Sequence, residues 1–259
     1  MNDALTAARR IAAAHTQGKE LVTITITSGP SAGQRYLSAA PGELEGTASD
    51  ALDQQARALA DEVWRSRQSA FADPLFAELH ALSEPLIIFG AGHIAVPLAA
   101  IAHGLGFRVT VLDDREDFAH PARFPVDIDV KTLHFSDPLR DIVIDARSYV
   151  ILLTRAHKYD FDCLRTLLAQ SVQPRYIGMI GSKRRVRAAF KALLEAGVPR
   201  ASLSSVHAPV GIEIGAETPA EIAVSIAAQL IQVRRGFDTT TKASEARVLE
   251  RMLPEAAAQ

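Results

Sequence analysis

Two glycines and an aspartate stand at the spacing that proteins use to bind a phosphate-bearing nucleotide. Gly90 and Gly92 open the hexapeptide GAGHIA, which has the pattern G-x-G-x-x-A and follows the apolar run at 86–89. Such a turn brings backbone N–H groups against a pyrophosphate at the start of a helix. Asp113 lies 18 residues past Ala95, where a carboxylate could accept a hydrogen bond from a ribose hydroxyl. His93, inside the turn, predicts either a ligand contact or a helix cap.

A second candidate site is a cluster of basic residues at a predicted helix start. Ser182 has the character of an N-cap, and Lys183, Arg184, Arg185 and Arg187 follow it. Positive charges there oppose the helix dipole, at a cost of up to about 1 kcal/mol each when they are exposed and unpaired. A bound anion such as a phosphate would offset that cost, and a solvated basic face is the alternative.

Polar segments at 154–160 and 207–219 complete the set of candidate binding residues. TRAHKYD follows the apolar run YVILL, and HAPVGIEIGAETP follows a short predicted strand. Thr218 and Glu221, with Pro219 between them, form a capping box, so helix initiation explains them without a ligand. The predicted cofactor-binding residues are Gly90, Gly92, His93, Asp113, Arg115, Thr154, His157, Asp160, Gly181, Ser182, Lys183, Arg184, His207, Gly211, Glu213, Gly215, Glu217 and Thr218. No catalytic residue and no metal ligand is predicted.

Strands and helices that alternate along the chain must position these segments. Buried strands are predicted at 86–89, 107–112, 149–153 and 176–180, a weaker strand at 128–133, and helices at 93–102, 161–169, 182–196 and 219–234. This order is typical of a parallel sheet with helices on both faces, in which ligands bind outside the carboxyl ends of the strands. We therefore predict an α/β fold with a Rossmann-like parallel sheet.

A smaller α+β domain is predicted before this sheet. Helices at 3–16 and 48–68 flank an alternating strand at 21–27 and a second strand at 34–39. The segment Ala72-Asp73-Pro74 is typical of a domain boundary. We place the domains at 1–78 and 82–237, and we expect a polar, partly disordered tail at 238–259.

Composition and charge exclude several classes of protein. A formal net charge of −2 over 259 residues gives no reason to expect nucleic acid or an anionic membrane as a partner. The single cysteine, Cys163, rules out an internal disulfide, and its leucine neighbours predict a buried core residue rather than a sulfur carrier. No segment reaches about 18 uninterrupted apolar residues, so we expect a soluble, cytoplasmic protein.

Taken together, these motifs resemble the XdhC/CoxI family, the xanthine dehydrogenase accessory proteins. The matching blocks are GAGHIA, VTVLDDRE, RFP, TRAHKYD, YIGMIGSKRR and HAPVGIEIGAETPAEIAVSIAAQLI, which together span Leu86 to about Arg235. The last block is not a general feature of Rossmann folds, so the joint pattern is specific. Family members usually carry a Cys-containing, glycine-rich motif in a longer N-terminal domain, whereas this chain has no cysteine before Cys163.

The resemblance implies a protein that binds the molybdenum cofactor, a molybdopterin with its metal. It implies protection of that cofactor during sulfuration by a cysteine desulfurase, followed by transfer to a xanthine dehydrogenase-type apoenzyme. An accessory protein rather than an enzyme is therefore expected. A homodimer formed through the apolar C-terminal helix is also expected.

Two other functions fit the same residues. An NAD(P)-dependent oxidoreductase would use the glycine turn and Asp113, although no Tyr-x-x-x-Lys pair follows a predicted strand. A nucleotide-sensing regulatory module would bind a partner in a nucleotide-dependent manner. The sequence leaves open which molybdoenzyme is served and whether the bound cofactor carries a nucleotide.

Overall fold

The computed structural model describes residues 4–125 and 127–237, with His157 described by its backbone alone. These residues form two compact units, one that ends at Leu82 and one that begins at Ser83. The predicted tail at 238–259 lies outside the described residues. No helix in the described ranges is long and apolar enough to cross a membrane.

The N-terminal unit is a four-stranded antiparallel sheet with two helices. Its elements are α1 (Ala4–Thr16), β1 (Leu21–Ile26), β2 (Arg35–Ser38), α2 (Asp50–Ser66), β3 (Ala70–Ala72) and β4 (Leu75–His80), and the strand order is β2-β1-β4-β3. The segment at 72–74 is not a boundary, because it joins β3 to β4 in an antiparallel pair. The hairpin was missed because β3 has only three residues and its turn contains a proline.

Helix α2 covers one face of this sheet with a regular apolar stripe. Its buried residues Ala56, Leu59, Ala60 and Val63 recur at intervals of three and four, as an amphipathic helix requires. They pack against the alternating apolar residues of β1 and β4. Ser49 caps the helix by accepting a hydrogen bond from the Leu52 N–H.

The C-terminal unit is a six-stranded parallel sheet with helices on both faces. Its strands are β5 (Pro85–Phe89), β6 (Arg108–Asp113), β7 (Asp129–Thr132), β8 (Tyr149–Leu152), β9 (Tyr176–Met179) and β10 (Val206–His207). Its helices are α3 (Ala95–Gly104), α4 (His157–Leu168), α5 (Lys183–Glu195), α6 (Arg200–Leu203) and α7 (Pro219–Arg235), with a 3-10 turn at Pro121–Arg123. The strand order β10-β9-β8-β5-β6-β7 is parallel throughout, which confirms the predicted α/β, Rossmann-like fold.

Two apolar layers hold the helices against this sheet. Along β5, Ile87 and Phe89 face the layer that contains α4 and α5, while Leu86 and Ile88 face the layer that contains α3 and α7. The alternation follows from the two-residue period of a strand. All five residues of β5 are buried, because a central parallel strand is covered on both faces.

The order of the strands fixes where a ligand can bind. After β5 the chain runs outward through β6 and β7, and it then returns to β8 on the other side of β5. The connections that follow β5 and β8 therefore lead to helices on opposite faces. Open parallel sheets bind their ligands at the carboxyl edge beside such a switch point. All the predicted binding segments lie at this edge, since each follows the end of a parallel strand.

In the C-terminal unit, two helix starts differ from the sequence prediction by two residues or more. Helix α3 begins at Ala95 rather than at His93, and α4 begins at His157, four residues before its predicted start at 161. His157 and Asp160 therefore belong to the first turn of a helix and not to a loop. Neither α3 nor α4 has a side-chain cap, so the sequence carried no start signal. The one-turn helix α6 was not predicted.

Candidate functional site

The glycine turn after β5 depends on Gly90 for its close approach to β8. Gly90 has a φ of +107°, and a Cβ on this residue would lie 2.4 Å from the Leu153 carbonyl oxygen. Its N–H donates to the Leu112 carbonyl oxygen at 2.6 Å. The turn thus touches the ends of both neighbouring strands. Gly92 is different, because no heavy atom lies within 4 Å of its Cβ position.

The start of α3 presents free backbone donors beside this turn. Ile94 precedes the helix and supplies no side-chain cap, and the N–H groups of Gly92, His93 and Ile94 donate to no residue that the structure describes. Unpaired N–H groups and the helix dipole together favour an anion at such an end. The exposed side chain of His93 stands at the same position.

Asp113, at the end of β6, binds the backbone of the glycine turn. Its buried carboxylate accepts the Ala91 N–H at 2.8 Å and the Arg115 N–H at 3.1 Å. The Arg115 guanidinium adds two more hydrogen bonds, at 2.8 and 2.9 Å. Burial raises the pKa of Asp113, but the Arg115 and Ala91 hydrogen bonds outweigh burial and lower this pKa to about 2. Asp113 is therefore a charged clamp.

This clamp occupies the acceptor positions that a ribose would need. An ionised carboxylate offers about four lone-pair sites, and four donors already reach Asp113. A cofactor role for Asp113 or Arg115 stays a prediction, and it would require Arg115 to move. Arg123 belongs to the same structure and was missed by the sequence analysis: it donates to the Ala91 and Phe118 carbonyl oxygens at 2.9 and 2.6 Å.

Thr154, Asp160 and Arg185 form a buried network at the ends of β8 and β9. Asp160 is fully buried and accepts hydrogen bonds from the Thr154 hydroxyl and from the Arg185 guanidinium, whose Nε lies 2.9 Å away. Arg185 also donates to the Thr154 carbonyl oxygen at 2.9 Å. The network joins the β8 end to the first turns of α4 and α5. Two predicted binding residues are thus engaged in holding the edge of the sheet.

Two of the other charges at the start of α5, those of Lys183 and Arg184, face solvent. Ser182 is the N-cap, as predicted, and accepts the Arg185 N–H at 3.3 Å. Lys183 and Arg184 are exposed, and neither side chain pairs with any residue in the described ranges. Gly181 makes the preceding bend, where a Cβ would meet the Arg185 side chain at 3.1 Å. The predicted anion site therefore keeps two free cations at a helix N-terminus.

Helix α7 holds the first part of the 207–218 segment. The Gln229 side chain, which is buried, accepts the Tyr176 hydroxyl at 2.6 Å and the Gly211 N–H at 2.7 Å. A Cβ on Gly211 would lie 2.4 Å from the Ser225 hydroxyl, so only glycine fits. The His207 ring stacks on Tyr176 with centroids 4.5 Å apart.

The second part of this segment is exposed. Glu213, Gly215 and Glu217 all lie at the surface. Thr218 is confirmed as the N-cap of α7, and the Glu221 carboxylate accepts the Thr218 and Glu217 N–H groups at 2.8 and 2.9 Å. These hydrogen bonds, with the Thr218 N–H first, lower the pKa of Glu221. The capping box explains Thr218 without a ligand.

The structure thus divides the predicted site residues into two groups. Those engaged in holding the carboxyl edge are Gly90, Asp113, Arg115, Thr154, Asp160, Gly181, Ser182, His207, Gly211 and Thr218. Those that face solvent or the turn are Gly92, His93, Lys183, Arg184, Glu213, Gly215 and Glu217, while His157 is described by its backbone alone. The second group is available to a ligand.

Sequence comparison finds relatives of this chain among known proteins. The chain is 32% identical over 163 residues to the uncharacterized protein YqeB of Escherichia coli K12, a match that covers 62% of this chain and 29% of that protein. It is 35% identical over 150 residues to a probable xanthine dehydrogenase subunit of Bacillus subtilis 168, with 58% of this chain and 43% of that protein covered. The chain therefore matches less than half the length of these curated relatives.

A solved structure and a family model extend this comparison. The crystal structure of a xanthine dehydrogenase from Bacillus halodurans superposes with a TM-score of 0.68 at 27% identity, covering 92% of this chain and 67% of that chain. The family model of the XdhC Rossmann domain matches residues 86–230, from β5 to the last turns of α7. Because this match takes in more than half of the chain, the protein belongs to the XdhC family.

Proposed function

We propose that this protein binds the molybdenum cofactor at the carboxyl edge of its parallel sheet and acts as a chaperone for it. In this proposal the protein protects the cofactor while a cysteine desulfurase supplies sulfur. It then delivers the cofactor to a xanthine dehydrogenase-type apoenzyme. The function rests on one structural observation: Lys183 and Arg184, at the start of α5, are exposed cations that pair with no residue in the described ranges.

Lys183 and Arg184 are the groups that would hold the phosphate of the pterin. Both occupy the first turn of α5, where the backbone N–H groups already favour an anion. Without an anion, two exposed cations at this end cost up to about 1 kcal/mol each. Phosphate offsets that cost and gains charge-assisted hydrogen bonds, so these residues fit the phosphate end of the cofactor.

The glycine turn and the start of α3 suit the rest of such a ligand. The free N–H groups of Gly92, His93 and Ile94 can donate to a second anionic or carbonyl group. Gly92 lets a ligand approach the backbone, because nothing surrounds its Cβ position. When bound, the cofactor would supply the metal and the dithiolene chemistry, while these residues bind and orient it.

The proposed partner follows from the relatives. One of them is named as a probable xanthine dehydrogenase subunit, and the superposed crystal structure is described as a xanthine dehydrogenase. Together with membership of the XdhC family, these names favour a molybdoenzyme as the protein that is served. The homodimer stays a prediction: Val224 and Ile231 are exposed seven residues apart on α7, and therefore on one face.

The cofactor content of the purified protein tests this function. Wild-type protein from a molybdenum-replete host should carry about one pterin and one molybdenum per chain, by fluorescence of the oxidised pterin and by metal analysis. Lys183→Glu combined with Arg184→Glu should reduce both at least tenfold. The melting temperature should not fall, because glutamates at a helix start are favoured by the dipole.

A matched control separates the site from net charge. Arg108→Glu combined with Arg140→Glu makes the same charge change at two exposed positions elsewhere on the unit, and it should leave the pterin content unchanged. Equal loss in both double variants, or a collapse of the melting temperature in the first, would contradict the anion site. Purification with NAD or NADP instead of pterin would favour the oxidoreductase, which the glycine turn and the free start of α3 also suit.

A further inference from the structure

The face of the N-terminal sheet opposite α2 is only half covered by the elements that the structure describes. Helix α1 lies over β1 and β2, where Ala7 packs with Leu21 and Leu37. Over β3 and β4, Phe71 and Phe76 stay 62% and 38% exposed. These two residues are cross-strand partners, so they point to the same face. A trough of about 450 Å³ lies between α1 and β4.

The uncovered half has the width of one more helix. Neighbouring strands lie about 4.8 Å apart and packed helices about 8–10 Å apart, so one helix covers about two strands. Because α1 already lies over β1 and β2, there is room for one helix over β3 and β4. We call the surface of Phe71, Phe76 and Glu78 the helix seat, since Glu78 follows Phe76 by two residues on β4 and shares its face.

Helix α1 carries an apolar stripe that no described residue buries. Eight of its 13 residues are alanine, leucine or isoleucine, yet only Ala7 is buried. A helix with apolar residues on several sides is normally buried on several sides. The exposed residues Ala4, Ala8 and Ala12 recur at intervals of four, and the exposed Leu5 precedes Ala8 by three, so these four form one outer stripe. Ala4 and Ala8 line the trough, which places the outer stripe beside the helix seat.

We propose that α1 and the helix seat form a two-fold interface between two copies of this chain. In this dimer, α1 of each copy lies on the helix seat of the other, and the two outer stripes meet. The inference goes beyond the proposed function, because no part of it involves the cofactor. It is also a different contact from the one expected through α7.

A second copy fits because one contact satisfies both unpartnered surfaces. The helix seat suits a helix with an apolar side, and the outer stripe is the apolar side of a helix in the same chain. In a two-fold dimer the same patch meets itself, so each copy supplies the helix that the other lacks. Three of the four residues of the outer stripe are alanines, and such small side chains let two helix axes approach closely.

Charge complementarity supports the same occupant. Arg9 is exposed directly after Ala8, at the edge of the outer stripe. Glu78 is the charged member of the helix seat, and its side chain is 53% exposed. When α1 of one copy lies on the helix seat of the other, Arg9 of the second copy can pair with Glu78, and the two-fold axis repeats this pair. An unrelated apolar helix would leave Glu78 without such a cation.

Sedimentation equilibrium of the full chain tests the interface. At micromolar concentration the wild type should have the mass of two chains. Ala8→Glu should raise the dissociation constant about a hundredfold or more, because a charge from each copy would be buried in the interface without a partner. Ala13→Glu is the matched control, since it makes the same change at an exposed position of α1 outside the outer stripe, and it should leave the dimer intact. Circular dichroism should show equal helix content in both variants.

Charge reversal identifies the partner as a second copy. Arg9→Glu and Glu78→Arg should each weaken the dimer about tenfold or more, because like charges then meet at both symmetric positions. A mixture of the two variants should restore the dimer, since a heterodimer has opposite charges at both positions. A pair within one chain could not be restored by mixing.

Any of four results would overturn the inference. They are a monomeric wild type, a dimer that survives Ala8→Glu, a dimer that dissociates equally in Ala13→Glu, and a mixture of the charge-reversed variants that associates no more tightly than either alone. A dimer lost in Val224→Asp but kept in Ala8→Glu would assign the contact to α7 instead. A monomer that binds a xanthine dehydrogenase-type apoenzyme, and loses that binding in Ala8→Glu, would assign the helix seat to a helix of that enzyme. None of these measurements uses the pterin content, so the proposed function is tested separately.

Discussion

Replacing Asp113 by asparagine should show that this carboxylate is a structural clamp at the glycine turn. Asp113→Asn preserves the shape of the side chain and removes its charge. One of the two oxygens becomes an NH₂ group, which then faces the N–H donors of Arg115 or Ala91. The variant therefore loses a buried ion pair and places two donors against each other.

The magnitude follows from the pKa of Asp113. A folded-state pKa of about 2, against an ordinary value of 3.8, corresponds to about 2.5 kcal/mol of stability at pH 7. Solvent screens this ion pair little, because the Asp113 side chain is only 3% exposed. The opposed donors add to the loss, so we expect Asp113→Asn to lower the free energy of unfolding by about 3 kcal/mol at neutral pH.

The pH dependence of this loss gives the sharper test. The folded-state pKa lies below the unfolded value, so the stabilisation is present above pH 3.8 and is lost as the pH falls through about 2. The difference between wild type and variant should therefore be constant from pH 7 to about pH 5. At pH 3 about half of its titrating part should remain.

Urea unfolding followed by circular dichroism at several pH values measures both quantities. Asp117→Asn is the control, because it makes the same charge change at an exposed aspartate and should alter stability by less than about 0.5 kcal/mol. A loss below about 1 kcal/mol for Asp113→Asn, or a difference that does not shrink between pH 5 and pH 3, would refute the clamp.

Two further predictions concern packing. Gly90→Ala should lower the free energy of unfolding by about 3 kcal/mol or more, because φ is +107° and the new Cβ would meet the Leu153 carbonyl oxygen. Gly92→Ala should be almost neutral, because no heavy atom lies within 4 Å of its Cβ position. Equal losses of the two variants in urea unfolding would contradict this. Cys163→Ser should lower the free energy of unfolding by about 1–3 kcal/mol, because a hydroxyl replaces a fully buried thiol whose pKa is raised far above its ordinary value by burial. The folded variant should keep its pterin content. Loss of pterin from the folded variant would favour a sulfur carrier.

The sequence alone predicted those strands and helices that are marked by an apolar run or by an N-cap residue. The apolar runs predicted the central strands because a strand covered on both faces needs apolar residues throughout. Ser182 and Thr218 predicted helix starts because their hydroxyls accept N–H groups three residues later, as the structure shows. Helices α3 and α4 lack such caps, and their starts were placed wrongly for that reason.

The buried network around Asp160 had a signal that the sequence analysis did not use. Asp160 stands three, four and seven residues before Cys163, Leu164 and Leu167, all of which are buried. It therefore continues the apolar stripe of α4 and must face the core. Arg185 continues the stripe of α5 in the same way, four residues before the buried Ala189. A charge on each of two facing stripes indicates an ion pair.

The two adjacent acids at the end of β6 show why spacing alone was not enough. Both Asp113 and Asp114 lie at the distance from the glycine turn that a ribose-binding acid needs, and one residue decides which side of the strand a carboxylate faces. What separates them is the donors that reach them: the Arg115 guanidinium turns back onto Asp113, whereas Asp114 binds Arg155. That choice depends on the burial of the two side chains in three dimensions.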